Sequence, residues 1–254
     1  MSSLSAVIIT YNEEKNINRC IESLQDVADE IIILDSFSTD NTVVLAKQKG
    51  AVVYQQKFKG YIEQKNDAIQ LANNDYVLCI DADEALDPVL IESIKTEKKH
   101  FGSDAYKINR CTNYCGHFIR HGSWYPDRRI RLFNKKKGSW SGINPHDKIS
   151  LSKPYTAKKL KGEILHYSFE TIEEHITQNN RFSTIAAEAY FKKGKKSGMI
   201  KLIFKPFWAF IKSYIIKLGV LDGFLGYVIA KSIAHMTFMK YYKLMALSKG
   251  MPLK

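Results

Sequence analysis

The first β–α turn of this 254-residue chain contains no glycine, and that absence excludes the glycine-rich nucleotide-binding motifs. Residues 10–14 follow an apolar strand, yet they form neither Gly-x-Gly-x-x-Gly nor a phosphate-binding P-loop. Cysteine is also scarce: the four cysteines show no framework pattern, which favours reduced thiols in a cytosolic compartment. The N terminus has no basic segment ahead of an apolar one, so we expect no signal peptide.

Acidic residues are almost missing from the last quarter of the chain. Residues 192–254 hold 13 lysines, no arginine and one acid, Asp222, so this segment accounts for the whole net charge of +12. Residues 1–191 hold 25 basic and 25 acidic side chains and are neutral. A basic segment of this kind predicts an anionic partner. The lack of arginine argues against nucleic-acid recognition, which is the non-enzymatic alternative.

Apolar strands alternate with amphipathic helices along the first hundred residues, and this alternation predicts an α/β fold with a mostly parallel sheet. The predicted strands are residues 5–10, 30–35, 51–55 and 76–81. The first helix should bury one face, formed by Ile17, Cys20, Ile21 and Leu24. Glu13 and Glu14 are predicted in its first turn, where the helix dipole favours acids. Asp87 and Pro88 are predicted to begin the fourth helix.

Three acids follow the fourth predicted strand within four residues: Asp81, Asp83 and Glu84. Burying bare carboxylates is costly, so we expect them at the open end of the strand or around a cation. Asp81 and Asp83 are two residues apart and would point the same way, and their oxygens suit Mg²⁺ or Mn²⁺. Polar residues also follow the first two strands. Because ligands bind beyond the carboxyl ends of parallel strands, we predict one shared site there.

The ligand of this site is predicted to be a nucleotide-sugar. An acid such as Asp35 can accept a hydrogen bond from a base N–H or from a ribose hydroxyl. With no glycine loop, a metal ion would hold the diphosphate instead.

Four stretches of the chain resemble the family 2 glycosyltransferases with the GT-A fold, a Rossmann-like, mostly parallel sheet. These are Ile8 to Glu14, Leu34 to Thr42, Gln64 to Ala68 and Ile80 to Glu84. Two later stretches, Trp124 to Phe133 and Ile143 to Lys148, are similar to the lipopolysaccharide core biosynthesis branch, whose members add glucose to inner-core heptose. The resemblance covers nearly the whole chain and is more specific for the family than for the sugar.

The resemblance implies a UDP-hexose donor and a divalent metal ion, Mg²⁺ or Mn²⁺. Asp35 would meet the uracil, and Asp83 would bind the metal. Apart from the resemblance, the imidazole of His146 is a candidate for metal or phosphate contact, with a structural role as its alternative. The remaining nucleotide contacts would be Thr10, Tyr11, Asn12, Glu13, Lys65, Asn66 and Asp81. Where the branch usually has His-Glu, this chain has His146-Asp147, whose acid is one methylene shorter.

An inverting transfer also needs a carboxylate that takes the proton of the acceptor hydroxyl, and Asp147 is the candidate base. A surface acid in a turn is the alternative interpretation. His166 is a weaker candidate for the metal or a phosphate. Weaker candidates for acceptor or phosphate contact are Arg129, Arg131, Trp124 and Tyr125. For the arginines the alternative is a solvated face, and for the aromatic residues it is a packed core.

The segment from Met199 predicts a basic amphipathic helix that Pro206 starts or kinks. Its wheel places Lys201, Lys205 and Lys212 on one arc, opposite Ile203, Phe204, Phe207, Phe210, Ile211 and Tyr214. Lysines interrupt each apolar run before the ~20 residues that a spanning helix needs. The pattern favours a helix lying on an anionic leaflet, paired with a second helix over residues 222–247. The alternative is a helix packed on the catalytic domain.

The sequence therefore predicts a GT-A catalytic domain over residues 1–191 and a basic helical extension over 192–254. The predicted function is inverting, metal-dependent transfer of a hexose, first of all glucose from UDP-glucose, to a lipid-linked oligosaccharide such as lipopolysaccharide inner core. The protein is expected in the cytoplasm, peripheral on the inner face of the cell membrane, without a nucleic-acid partner. Transfer to a polyprenyl phosphate and nucleotidyl transfer are the enzymatic alternatives.

Overall fold

The computed structural model describes residues 2–143, 146–152 and 154–253, although the side chains at positions 143 and 146 fall outside the description. The chain forms two compact units. The first comprises Met1–Arg110 with Asp127–His166, and the second comprises Cys111–Pro126 with Tyr167–Lys254. The boundary after residue 191 stays a prediction; the compact units divide the chain differently and place residues 167–191 with the basic segment.

The first unit begins with a parallel sheet. Its strands are β1 (Leu4–Thr10), β2 (Glu30–Asp35), β3 (Val52–Gln55) and β4 (Tyr76–Asp81). They lie in the order β3-β2-β1-β4 and all pair in parallel. The register sets Thr10 beside Asp35 and Ile9 beside Asp81, so the three carboxyl ends meet at one edge. The predicted α/β fold class is confirmed.

Helices connect these strands. They are α1 (Ile17–Leu24), α2 (Thr42–Gln48), α3 (Tyr61–Gln70) and α4 (Pro88–Lys98). The predicted face of α1 is fully buried, and the Asp87 side chain caps α4 by accepting from the amide of Leu90 at 2.6 Å. The placement of Glu13 and Glu14 in the first turn of α1 is wrong. Both precede the helix, and their amides donate to Thr42 Oγ1 and Asp40 Oδ2, so they fasten the β1–α1 loop to the start of α2.

The remaining strands make the sheet mixed. They are β5 (Glu84–Leu86), β6 (Ala105–Tyr114), β7 (His117–Ile119), β8 (Asp127–Asn134), β9 (Gly138–Ile143), β10 (His146–Leu151) and β11 (Ala157–Phe169). Beyond β4 the order continues β8-β6-β11-β5, with β8 antiparallel to both β4 and β6. β9 and β10 form a separate antiparallel hairpin, in which Asp147 faces Gly142.

The core of the first unit lies on both faces of the parallel strands. Alternate residues of β1 point to opposite faces: Leu4, Ala6 and Ile8 join one buried cluster, and Val7 joins the other. The first cluster includes the apolar face of α1, and the second includes Ala68 of α3 and Trp140 of β9. Continuous apolar runs in β1, β2 and β4 follow from this burial on both sides.

Three long helices build most of the second unit: α5 (Ile172–Lys192), α6 (Met199–Ile211) and α7 (Gly223–Ser248). α7 packs against both of the others. The buried Lys243 of α7 donates to Ser183 Oγ and to the carbonyl of Asn180 on α5, each at 2.8 Å. Pro206 lies well inside α6 rather than at its start.

Two aromatic rings that the helical wheel places on the apolar side of the predicted helix are packed in the structure. Phe210 stacks on Tyr214 at 5.4 Å between ring centres, and both rings meet Tyr227 of α7 edge-on. These two rings therefore serve the packing of the second unit, whereas Phe204 and Phe207 are exposed. Within the described residues, no single helix has both the length and the apolar composition of a membrane span; only the bent pair Met199–Ile216 and Gly219–Ser248, at 73°, meets that test.

Candidate active site

The loops after β1 and β2 are joined by hydrogen bonds at the carboxyl edge of the sheet. The amide of Asn12 donates to Ser38 Oγ at 2.9 Å, and the amide of Thr39 donates to Asn12 Oδ1 at 2.8 Å. Asn12 has a φ of 54°, a left-handed conformation that asparagine tolerates better than most residues. Thr10 is buried, and Tyr11 beside it is 57% exposed. This pair of loops therefore presents two exposed aromatic rings, Tyr11 and Phe37, the second 54% exposed.

Asp35 ends β2 as a fully buried acid. Its Oδ2 accepts from the amide of Ser38 at 2.9 Å and from Gln55 Nε2 at 3.0 Å, while its Oδ1 accepts from the hydroxyl of Ser38. These bonds use three of the roughly four acceptor positions of a carboxylate. The side chain is thus held in one orientation at the point predicted for the nucleobase.

A lysine links two acids that lie 66 residues apart in the chain. Lys65 Nζ is 3.0 Å from Asp81 Oδ1 and 2.8 Å from Asp147 Oδ2. Burial by itself would lower the pKa of Lys65, but the charges of Asp81 and Asp147 outweigh it and raise that pKa. Lys65 is therefore a fully charged ammonium. It joins the end of β4 to the β9–β10 hairpin, and it brings the predicted base to the edge of the sheet.

Arg131 lies on the other side of Asp81. Its NH2 is 3.1 Å from Asp81 Oδ2 and 2.8 Å from Glu84 Oε1. Burial would raise the pKa of Asp81, but Lys65 and Arg131 together hold that pKa well below its usual range. The Arg131 side chain is almost fully buried, and its NH1 also donates to the carbonyl of Cys79 at 3.5 Å. Arg129, two residues earlier, is half exposed and pairs with Asp127 at 3.0 Å.

Asp83 lies next to an imidazole. Its Oδ2 is 3.1 Å from Nε2 of His166 on β11, and the β11–β5 pairing sets His166 beside Glu84. Carboxylate and imidazole both ligate divalent first-row ions, so the pair fits the predicted cation. The described residues contain no group of three or more such ligands, and an ion here would need further oxygens from substrate or water. The side chain of His146, the other predicted ligand, lies outside the described residues.

Glu13 lies within electrostatic reach of Asp83 and Asp81. Burial raises its pKa, and the charges of Asp83, Asp40 and Asp81 raise it further, although a hydrogen bond from Asn16 opposes the change. A concentration of acids at a sheet edge is the environment in which a bound cation is stabilised.

Asn66 positions the Trp140 ring next to the ammonium of Lys65. Its Nδ2 donates to the carbonyl of Trp140 at 3.0 Å, and its Oδ1 accepts from the amide of Trp140 at 2.9 Å. The indole ring consequently lies 4.3 Å from Lys65 Nζ, a cation–π contact. A nucleotide contact by Asn66 stays a prediction, since its amide groups already bind the backbone of β9.

Trp124 and Tyr125, the aromatic candidates for the acceptor, belong to the second unit. The ring of Trp124 stacks on Phe169 at 5.6 Å between ring centres and meets His175 edge-on. This packing matches the alternative of an aromatic core for Trp124. Sugar stacking by either residue stays a prediction.

Lys65→Ala should destabilise the first unit because it leaves Asp147 without its cation. We expect a loss of about 3 kcal/mol, the lower end for breaking a buried ion pair, since Arg131 still neutralises Asp81. Urea unfolding followed by circular dichroism measures it. The matched control is Lys59→Ala, which removes an exposed pair with Asp67 at 2.9 Å and should cost less than about 1 kcal/mol. Equal losses in the two variants would mean that the buried pair contributes no more than a surface one.

Comparison with known proteins places the chain. Residues 5–161 match the model of glycosyl transferase family 2. An uncharacterized glycosyltransferase of Rickettsia typhi is 35% identical over 98% of this chain and 88% of its own length. The lipopolysaccharide core biosynthesis glycosyltransferase LpsC of Rhizobium meliloti is 30% identical over 96% of this chain and 93% of its own.

Among solved structures, a glucosyl-3-phosphoglycerate synthase from Mycobacterium tuberculosis, in complex with Mn²⁺ and UDP-glucose, is 28% identical over 45% of this chain and 44% of its own. The TM-score is 0.36, a likeness too loose to transfer a site. The family match and the two full-length relatives are sufficient without it: the chain belongs to glycosyltransferase family 2.

Proposed function

We propose that the chain is an inverting hexosyltransferase that moves a sugar, glucose as first candidate, from a UDP-linked donor to a lipid-linked glycan of the lipopolysaccharide core type. One observation carries the proposal. Lys65 touches both Asp147, the candidate base, and Asp81, whose strand leads directly to the Asp83–His166 pair. A base and a diphosphate site at one edge of the sheet are what a single displacement at a sugar carbon requires. The similarity to LpsC supports the acceptor class.

The donor would lie along the carboxyl edge, with its base at Asp35 and its diphosphate at Asp83. Tyr11 is exposed beside Asp35 and offers a face on which a uracil ring can stack. Mg²⁺ or Mn²⁺, held by Asp83 and His166, would when bound stabilise the negative charge that develops on the leaving UDP. His146 remains a second candidate ligand of this ion.

Asp147 would take the proton of the acceptor hydroxyl as that oxygen attacks the sugar. Lys65 binds Oδ2 of Asp147, so Oδ1 is the oxygen available to the acceptor. The ionised carboxylate is the form a general base needs. Lys65 would thus position the base rather than act on the substrate proton itself.

We place the enzyme at an anionic membrane surface on the cytoplasmic side, where a lipid-linked acceptor would be met. The support is the concentration of all the net charge in residues 192–254.

A donor screen tests the proposal. The protein is incubated with UDP-glucose, UDP-galactose, ADP-glucose and GDP-mannose, with Mg²⁺, with Mn²⁺ or with EDTA, and the released nucleotide is quantified. We expect UDP release from a UDP-hexose to exceed release from ADP- or GDP-sugars at least about tenfold, and to stop in EDTA. Release of pyrophosphate would favour nucleotidyl transfer instead. Release undiminished by EDTA would contradict the metal role, and a product that runs as a sugar phospholipid would favour a polyprenyl-phosphate acceptor.

A further inference from the structure

The second unit exposes a large apolar surface on α6 and on the turn that follows it. None of the residues of α6 is buried. Six large apolar side chains are each 54% to 77% exposed, and we call them the apolar face: Ile203, Phe204, Phe207, Trp208, Leu221 and Phe224. The four on α6 lie one, three, four or five positions apart, so they share one side of the helix. Exposed apolar surface on a soluble protein commonly marks a binding surface.

Packing within the second unit does not account for the apolar face. Phe210 of α6 and Tyr214, which follows α6, both meet the Tyr227 ring of α7. Phe207 is 63% exposed and Phe224 is 77% exposed although both lie close in sequence to these packed rings. Phe207 and Phe210 are three positions apart and share one side of the helix, so α7 covers the end of this apolar side and leaves Ile203, Phe204 and Phe207 exposed.

The turn between α6 and α7 is held by hydrogen bonds, and it fixes the backbone at Leu221 and at Phe224, the second residue of α7. Asp222 accepts from the amides of His121 at 2.8 Å and Arg120 at 3.1 Å, and its Oδ1 lies 2.8 Å from His121 Nδ1. Gly226 lies so close to Gly219 that an added Cβ would be 1.8 Å from the carbonyl oxygen of Gly219. This close approach requires glycine and fixes how α7 leaves the turn.

Exposed lysines accompany the apolar face, on the opposite arc of α6 and on the segments that follow it. Lys205, Lys212 and Lys217 lie on α6 and the turn, and Lys231 lies on α7. The single acid of residues 192–254, Asp222, is engaged with residues 120 and 121. An apolar surface on a segment of positive net charge matches the boundary between acyl chains and anionic headgroups, where lysine stems reach outward to the phosphates. A protein partner would need an acidic border around an apolar groove to match it as well.

We propose that the apolar face inserts into the interfacial layer of an anionic bilayer, with Trp208, Leu221 and Phe224 below the headgroups and the four lysines among them. The inference rests on the proposed function only for the choice of the cytoplasmic leaflet; lipid binding itself stands on the residues of the second unit. The turn that Asp222 holds is already ordered before it enters the bilayer, so little conformational entropy is lost on binding.

Trp208 is a built-in probe for this insertion. Trp140 is 6% exposed and Trp124 is packed among aromatic rings, so Trp208 is the tryptophan that can meet lipid in the apolar face. The full chain is mixed with vesicles of phosphatidylglycerol and phosphatidylcholine whose acyl chains carry bromine near the headgroup. We expect strong quenching of its fluorescence, little quenching with pure phosphatidylcholine, and loss of most of the quenching in Trp208→Phe.

Two matched double variants test whether vesicle binding depends on the apolar face or on any exposed apolar side chain. Leu221→Ser with Phe224→Ser should weaken partition into the anionic vesicles at least about tenfold. The control is Ile172→Ser with Ile176→Ser, which removes two similarly exposed side chains from α5. It should change partition into the anionic vesicles less than about twofold. Circular dichroism and UDP release confirm that both double variants fold, and vesicle binding is measured whether or not UDP is released, so the two proposals fail separately.

Two results would overturn the inference. Equal losses in the two double variants would remove the special role of the apolar face. A lipid-free dimer in sedimentation equilibrium that Leu221→Ser with Phe224→Ser dissociates would show that a second copy of the chain covers this surface.

Discussion

Asp83→Ala should lower the rate of sugar transfer by at least about 10³-fold, because it removes the carboxylate proposed to hold the divalent ion on the leaving diphosphate. The variant should also bind UDP no more tightly with Mn²⁺ than without it. Isothermal titration with UDP, with and without Mn²⁺, measures that difference directly. The wild-type chain is expected to show a clear gain in affinity when the ion is present.

One further variant tests the proposed metal site, and another serves as its control. His166→Ala should weaken metal-dependent UDP binding by about 10- to 100-fold, because it removes the imidazole 3.1 Å from Asp83. Asp75→Ala, which removes an exposed acid paired with Lys136, is the control and should leave both readouts unchanged. Metal-stimulated transfer that survives in Asp83→Ala would rule out the role assigned to this acid.

Asp147→Asn should reduce transfer by two or more orders of magnitude while UDP affinity stays within about threefold of the wild type. Asparagine keeps the size of the side chain and an oxygen for Lys65, but it cannot take a proton from the acceptor. The expected pattern is therefore a fall in kcat with little change in donor binding. Transfer to a lipid-linked acceptor and titration with UDP are measured on the same preparation.

The control for this substitution makes the same chemical change in a surface ion pair. Asp67→Asn weakens the contact with Lys59 at 2.9 Å, far less buried than the Lys65 pair, and should leave transfer unchanged. A loss of less than tenfold in Asp147→Asn would show that another carboxylate is the base.

The parallel half of the fold was predictable because its signals are local. The buried faces of β1, β2 and β4 are continuous apolar runs, and the spacing of the α1 residues gives one buried stripe. Glu13 and Glu14 were placed in α1 by the usual preference of acids for a first turn. Contacts of the loop with Asp40 and Thr42 override that preference, and they depend on the neighbouring β2–α2 connection.

The candidate site was only partly predictable, because its pairs are far apart in sequence. Nothing near Lys65 indicates that its ammonium will meet Asp147, which arrives on a hairpin 82 residues later. Arg131 could be expected on a solvated face, as Arg129 is. Arg131 is buried because β8 pairs with β4 from Leu132 onward, and this pairing brings its guanidinium to 3.1 Å from Asp81 Oδ2. His166 carried a weak signal, an imidazole inside an apolar strand, and its contact with Asp83 gives that signal a meaning.

The tail was predictable in composition but not in packing. A helical wheel treats α6 as a single helix, so it grouped Phe210 and Tyr214 with Phe204 and Phe207. The partner helix α7 takes the first two rings and leaves the others exposed. Which apolar residues remain outside depends on a helix that lies later in the chain.

The stereochemistry of transfer tests the central claim most directly. The wild-type chain is incubated with UDP-glucose, whose sugar is α-linked, a divalent ion and a lipid-linked inner-core acceptor, and the anomeric proton of the product is read by NMR. A single displacement with Asp147 as the base predicts a β-linked product. An α-linked product would contradict the account, because it would require a different route through the site.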